Sequence, residues 1–383
     1  MQHECTKRKH DRLSAPGGHH DEGVAAGQHG AHRLPLAATK IGVAEAVAKH
    51  RDRFRTRHAG WHDPAKAGSA PTGFTPYCAS MRVCVIVPSY RRPGELARCL
   101  AALRVQRRAP DAVIVSVREG DEETRLLMDE LGSAWPELEC AEVSRTGVVA
   151  AMSAALAQAH SDIVAITDDD AEPVEDWLQR IAAVFEEQPD VGGVGGRDDQ
   201  AGVTGAQASV GQVQWFGRVG GNHHVGAGPP RDVDVLKGVC CAFRTTPLRT
   251  IGFDERLHGA GAQVHWELAL CLALRRAGWR LVYDPAIRVR HHVALRHDSD
   301  QRHRGRFDAS PHEDAVFNET LILAEHLTGF RRIAFVVWAA LVGTAAEPGL
   351  LQLPRVLVRE GRVALVRWRA TQRGRRAGFA ASK

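Results

Sequence analysis

From Met81 onward the sequence predicts a doubly wound α/β fold: a mainly parallel sheet flanked by helices, with a helical extension at the C-terminal end. Short runs rich in β-branched residues recur, and they are apolar at successive rather than alternate positions, as strands buried on both faces are. Segments of helical character separate these runs. Polar clusters follow them directly, at the strand ends where open α/β sheets bind their ligands.

VCVIVP (83–88) is the first run, and Pro93 opens a helix behind it, where the missing N–H is tolerated. AVIVSVR (112–118) follows, then a helix over about 121–132 and a short strand near 138–143. GVVAAMSAALAQA (147–159) reads as a small-residue helix, DIVAIT (162–167) as a strand, and about 174–186 as a helix. Within 252–292 a glycine-rich loop leads to a helix marked by Leu268, Cys271, Leu272 and Leu274 and ended by Gly278. LVYDP and a second strand ending at His291–His292 come next, then a helix over about 312–327. There are no internal repeats.

Residues 1–80 differ in kind. They hold 9 of the 20 histidines, show no sustained period and have irregular ligand spacing, so they read as a disordered extension, or as an annotation artefact with Met81 as the true start. The formal charge of +5 is too small to argue for nucleic-acid binding. Eight scattered cysteines without a CxxC pair read as reduced, mostly buried thiols of a cytoplasmic protein. No apolar window of 18 residues or signal core suggests a membrane span or export.

Three polar clusters fall at strand ends: PSYRRP (88–93), REGDEE (118–123) and the triple aspartate Asp168, Asp169, Asp170. Neither a P-loop nor a GxGxxG stretch is present to cradle phosphates. Adjacent carboxylates repel, and a divalent cation relieves that repulsion while neutralising a nucleotide's phosphates. Read structurally, Asp170 or Glu172 merely caps the next helix. Glu267, near a helix start, is placed to act as a general base, and His291 to be a third metal ligand; alone, the first reads as a first-turn helix acid and the second as a surface residue.

Taken together, VCVIVPSYRRPGELARCLAAL, SDIVAITDDDAEPVEDWL, LKGVCCAFRTTPLRTIGFDERL and HWELALCLALRRAGW resemble the ordered motifs of a family-2 glycosyltransferase with the GT-A fold, over roughly 82–292. The resemblance implies a DxD element at Asp168-x-Asp170, with Asp168 near the ribose and Asp170 on a Mg²⁺ or Mn²⁺ ion shared with His291. It implies a donor site of Pro88, Ser89, Tyr90 and Arg92, with Glu119 or Asp121 at the nucleobase. Asp169 would stand with the donor-binding residues, but with its side chain expected to point away it is the least committed of the three. Glu267 would be the catalytic base of an inverting transfer, and Lys237, Gly238 and Trp266 would lie on the acceptor side. Residues 81–200 would then be the nucleotide-sugar half and 201–310 the acceptor half of one domain. The sequence departs from the pattern at Trp266–Glu267, where the family carries an acidic pair, and at Ser153 and Cys240. The donor would be a UDP-, dTDP- or GDP-sugar and the acceptor a glycan, lipid or small molecule. The rival readings are a degenerate donor-binding protein and a sugar-nucleotide pyrophosphorylase, which would want a glycine-rich basic loop after the first strand.

Two stretches stay open. In QVQWFGRVGGNHH (212–224), Trp215 reads either as a sugar platform or as a buried residue under a surface loop, and His223–His224 as groups in reach of a phosphate or acceptor. In the extension (311–383), an apolar core of roughly 14 residues precedes a basic stretch, with Arg355, Arg359, Arg362, Arg369 and Arg373 opposite Leu357, Val363 and Val366. This reads either as a packed terminal helix or as a helix docked on an anionic membrane surface, the inner face of the cell membrane, and not as a nucleic-acid site.

Overall fold

The computed structural model describes residues 81–295, 297 and 307–382. The histidine-rich segment before Met81, with the expectations attached to it, lies outside the described residues. Strands β1 (Val83–Ser89), β2 (Ala112–Arg118), β3 (Leu138–Val143) and β4 (Ile163–Ile166) are parallel and stand in the order β3-β2-β1-β4. The chain leaves β1 towards one side and returns to its other side, so the topological switch point lies between β1 and β4. Helices α1 (Pro93–Arg104), α2 (Glu122–Gly132) and α3 (Val148–Gln158) make the crossovers.

Beyond β4 the sheet continues through β10 (Cys241–Arg244), β6 (Val191–Gln200), β11 (Arg280–His291) and β5 (Ala171–Pro173). Strands β10 and β5 run antiparallel to their neighbours, and β9 (Arg231–Asp232) pairs with β11. A separate hairpin joins β7 (Gln212–Val213) to β8 (Val219–Gly220). The remaining helices are α4 (Trp177–Glu187), α5 (Thr245–Ile251), α6 (Trp266–Arg276), α7 (Ala309–His326), α8 (Gly329–Leu341), α9 (Leu353–Glu360) and α10 (Arg362–Ala381).

The structure departs from the sequence reading at four elements. VGGVGG has too few side chains to reveal a period, yet it forms β6, an interior strand. Its glycines make room for their neighbours: a Cβ on Gly196 would lie 1.9 Å from the Ile287 carbonyl oxygen, and one on Gly193 2.8 Å from the Phe243 ring. LVYDP and the run ending at His291 are one strand, β11, with a register break between Tyr283 and Arg288. The helix after the aspartates starts at Trp177, because Ala171–Pro173 are drawn into pairing with β11. The basic C-terminal stretch is two helices, since Gly361 at φ +58° breaks it.

The core has two layers, one on each face of the sheet. One contains Val85, Leu100, Val115, Trp177 and Phe185. The other joins Ile86, Met152, Phe243, Leu268 and Cys271 to Ile322, Leu323, Phe335 and Ala339, so α7 and α8 share a core with the sheet. Helix α10 crosses α7 backbone to backbone: a Cβ on Gly374 would lie 2.6 Å from the Glu313 carbonyl oxygen, and one on Gly378 2.8 Å from that of Phe317. Among the described residues six cysteines are free, and all but Cys140 are buried. No described helix is long and apolar enough to cross a membrane.

Candidate active site

The carboxyl ends of β1, β4 and β11 bring Ser89, the three aspartates and His291 to one edge of the sheet, at the switch point. The aspartates divide the work. Asp169 is fully buried, accepts a hydrogen bond from Ser89 Oγ at 2.8 Å and pairs with Arg92 Nη2 at 2.5 Å. It is therefore not the uncommitted member that the sequence suggested, but the anchor that ties β1 to β4. Burial pushes its pKa up, Arg92 opposes this, and the balance stands at about 7. Asp170 accepts from Arg92 Nη1 at 3.1 Å and from the Ala294 N–H at 2.8 Å, and its other oxygen lies 3.3 Å from His291 Nε2. Burial works against its charge, but His291 and Arg92 outweigh that and hold it well below the usual carboxylate range.

His291 stands between two carboxylates. Its Nδ1 lies 3.4 Å from Asp198 Oδ2, and that buried aspartate also takes Lys237 Nζ at 2.6 Å and Gln200 Nε2 at 2.7 Å. Burial lowers the imidazole's pKa, but Asp170 and Asp198 more than reverse this and raise it to about 9. Asp168, Asp170 and His291 each offer one ligand atom, all within 4.8 Å of one another. Two carboxylates and an imidazole whose second nitrogen faces a carboxylate fit a divalent cation such as Mn²⁺. Asp198 escaped the sequence reading because it follows the glycines of β6. The signal was there in Asp198–Asp199, a second acidic pair after a glycine-rich run.

Glu267 sits in the first turn of α6 and accepts the Gly238 N–H at 3.2 Å. A side chain at 238 would strike the Trp266 ring at 2.3 Å, so glycine lets the two segments meet. Burial pushes the Glu267 pKa above its ordinary value, two backbone N–H groups oppose this, and the charge of Asp168 adds to it. Trp266, expected to face the acceptor, is instead 7% exposed and packs edge-on against Phe253.

The loop before α6 is clamped on two sides. Gln263 Oε1 accepts from the Val149 N–H at 2.9 Å and its Nε2 donates to the Leu257 carbonyl at 2.8 Å. From α7, Asn318 accepts the His258 N–H at 2.7 Å and donates to the carbonyls of His258 and Val264, both at 3.0 Å. Gly147, at φ +101°, is obligatory beneath Gln263: a Cβ there would lie 2.2 Å from Oε1. Gln263→Ala leaves a buried N–H and a carbonyl without partners. It is expected to lower stability by about 1–3 kcal/mol, measured by urea unfolding.

A cavity lined by Pro88, Ser89, Tyr90, Arg118, Arg145 and Asp168 opens beside this loop, whose Gly261 completes its wall. The Arg118 guanidinium stacks 4.9 Å from the Tyr90 ring centroid. Neither Glu119 nor Asp121, expected at a nucleobase, lines the cavity. Asp121 is spent locally, capping α2 through Thr124 and accepting the Arg91 N–H at 2.6 Å. His223 is turned inward: it is 6% exposed, with Nε2 2.9 Å from the Val235 carbonyl, and burial lowers its pKa to about 4. Trp215 is 57% exposed and lies against Phe216 and Phe330, away from the cavity lining.

The model of the glycosyltransferase-like family 2 matches residues 81–307, more than half of the chain. The chain belongs to glycosyltransferase family 2. Like other solved glycosyltransferases of the GT-A type, this family-2 member has a mostly parallel sheet between helices. GalNAc-T7, solved with UDP, GalNAc and Mn²⁺, is similar at a TM-score of 0.50 and 15% identity, over 65% of this chain and 48% of its own. This chain thus spans about half the length of that protein. The mannosyltransferase PcManGT from Pyrobaculum calidifontis, solved with GDP-Man and Mn²⁺, gives 0.47 and 20% over 90% and 95% of the two chains. TarS residues 1–349 from S. aureus, solved with UDP-GlcNAc, gives 0.48 and 14% over 78% and 89%. No curated protein matches the sequence.

Proposed function

We propose that this family-2 glycosyltransferase moves a hexosyl group from a UDP-, dTDP- or GDP-sugar to an acceptor hydroxyl, inverting the anomeric carbon in one displacement. The observation that carries the reading is Glu267, a carboxylate of raised pKa within electrostatic reach of Asp168, the acid that lines the cavity. Tyr90 and Arg118 supply a stacking surface for the base, and Asp168 faces the ribose side. Asp170 and His291, with Asp168, would hold Mg²⁺ or Mn²⁺, whose charge offsets that developing on the departing diphosphate. Glu267 takes the acceptor proton as the hydroxyl oxygen attacks the anomeric carbon, and the bond to the diphosphate breaks with its electron pair leaving on oxygen. The Lys237–Gly238 segment, against which Glu267 rests, borders the acceptor. The acceptor hydroxyl belongs to a glycan, a lipid or a small molecule, on the cytoplasmic side of the membrane.

Thermal unfolding with a panel of nucleotide sugars, with and without Mn²⁺, tests the donor class. A true donor at about a hundred times its dissociation constant should add roughly 2.7 kcal/mol, only when the ion is present. No stabilisation by any nucleotide sugar removes the reading. Stabilisation without hydrolysis or transfer leaves a donor-binding protein without catalysis.

A further inference from the structure

One apolar surface of the described chain is left open to solvent. Along α8 the residues Phe330, Ile333, Val337 and Leu341 are 71%, 67%, 51% and 42% exposed, and their spacing of three, four and four places them on one face. At the start of this face the ring of Trp215 comes within 6.2 Å of Phe330. At its end the Leu351 N–H donates to the Leu341 carbonyl at 2.7 Å and the Leu350 N–H to that of Ala340 at 3.0 Å, which sets two more exposed leucines beside it. The stripe runs the length of a 13-residue helix, about 20 Å. The opposite side of α8 is fixed: Phe335 and Ala339 belong to the core shared with the sheet. Scattered apolar side chains need no explanation on a protein surface, but a contiguous stripe of seven does.

The charges around the stripe identify what covers it. Residues 329–381 carry ten arginines against only Glu347 and Glu360. Arg331, beside Phe330, donates through Nε to the Trp215 carbonyl at 3.3 Å. Arg355 and Arg359, on α9, follow closely on Leu351, and both are exposed, as is Arg362. Among the described residues no carboxylate pairs with any of these four, whereas Arg367, Arg373 and Arg375 are matched by Glu360, Glu313 and Glu347. An apolar stripe with a tryptophan at one end and unmatched arginines at its borders complements a bilayer surface: hydrocarbon for the face, lipid phosphates for the guanidinium groups. The helix is too short to span, so it lies in the plane of the interface.

We infer that α8, the turn at Leu350–Leu351 and α9 dock this protein on a membrane bearing anionic headgroups. The inference is independent of the transfer reaction. Full-length protein is floated with phosphatidylcholine vesicles, with and without phosphatidylglycerol. The variants are Ile333→Asp/Val337→Asp and Arg355→Glu/Arg359→Glu, all at exposed positions outside the candidate active site, and circular dichroism with urea unfolding confirms that both still fold. The wild type should float with anionic vesicles and be released by salt, and each double variant should bind at least about tenfold more weakly. Equal flotation of wild type and variants, absence of flotation, or indifference to phosphatidylglycerol overturns the proposal. So does sedimentation showing a dimer that the Ile333→Asp/Val337→Asp variant splits and that does not float, for the stripe would then cover a second copy of the chain.

Discussion

Glu267→Gln should bind donor as the wild type does and turn over about 10²–10⁴ more slowly, the usual worth of a positioned general base. The substitution is nearly isosteric, and the amide oxygen can still accept the Gly238 N–H, so the loop and α6 keep their places. What is lost is the ability to take a proton. The pH profile supplies a second reading of the same group. Because burial raises the Glu267 pKa, the active, ionised form is lost as pH falls through that raised value. The acid limb of kcat should therefore lie above the range of an exposed glutamate and vanish in the variant. Near-normal turnover by Glu267→Gln, at equal donor affinity, would remove the base from Glu267.

Asp170→Ala should abolish metal-dependent donor binding and weaken the fold as well. The Asp170 side chain meets Arg92, His291 and the Ala294 N–H, and it sits directly before β5, which pairs with the end of β11. Removing it leaves a largely shielded guanidinium and a buried imidazole of raised pKa short of one counter-charge. Breaking a buried ion pair from one side costs about 3–5 kcal/mol. Asp170→Asn separates the two effects, since it keeps the shape and an acceptor for Ala294 while weakening a cation's hold. Titration of Mn²⁺ against nucleotide affinity in the folded Asn variant is the decisive measurement; unchanged metal dependence there would shift the site away from Asp170.

How much of this could be read from the sequence depended on whether side chains carry the message. Strands β1, β2 and β4 announce themselves because their buried faces are built from valine and isoleucine. The triple aspartate was visible for the same kind of reason: three carboxylates in a row are hard to explain by packing. Strand β6 was invisible because its work is to be thin. Neighbouring chains approach it where Gly193 and Gly196 have no Cβ, and an absent side chain has no period. Asp198 was lost with that strand, and with it the carboxylate that faces His291. Glu119 and Asp121 misled for the opposite reason: they have the right chemistry at the right strand end, but the turn into α2 consumes Asp121 as a cap. The likeness to known motifs pointed to this end of the sheet; only the tertiary contacts told which acids face the cavity.

The clasp between α10, α7 and the loop before α6 also bears on the order in which the chain can mature during synthesis. Asn318 fastens His258 and Val264 only after α7 has left the ribosome, and α7 is itself gripped at Glu313 and Phe317 by Gly374 and Gly378 of the last helix. Most of the cavity lining comes from residues before 170, whereas the loop that completes its wall and leads into Glu267 waits for partners more than fifty residues downstream. Contacts of such long separation close late. In a nascent chain the cavity would thus stay open on its loop side, and Glu267 unplaced, until α7 and the grip of α10 on it had formed.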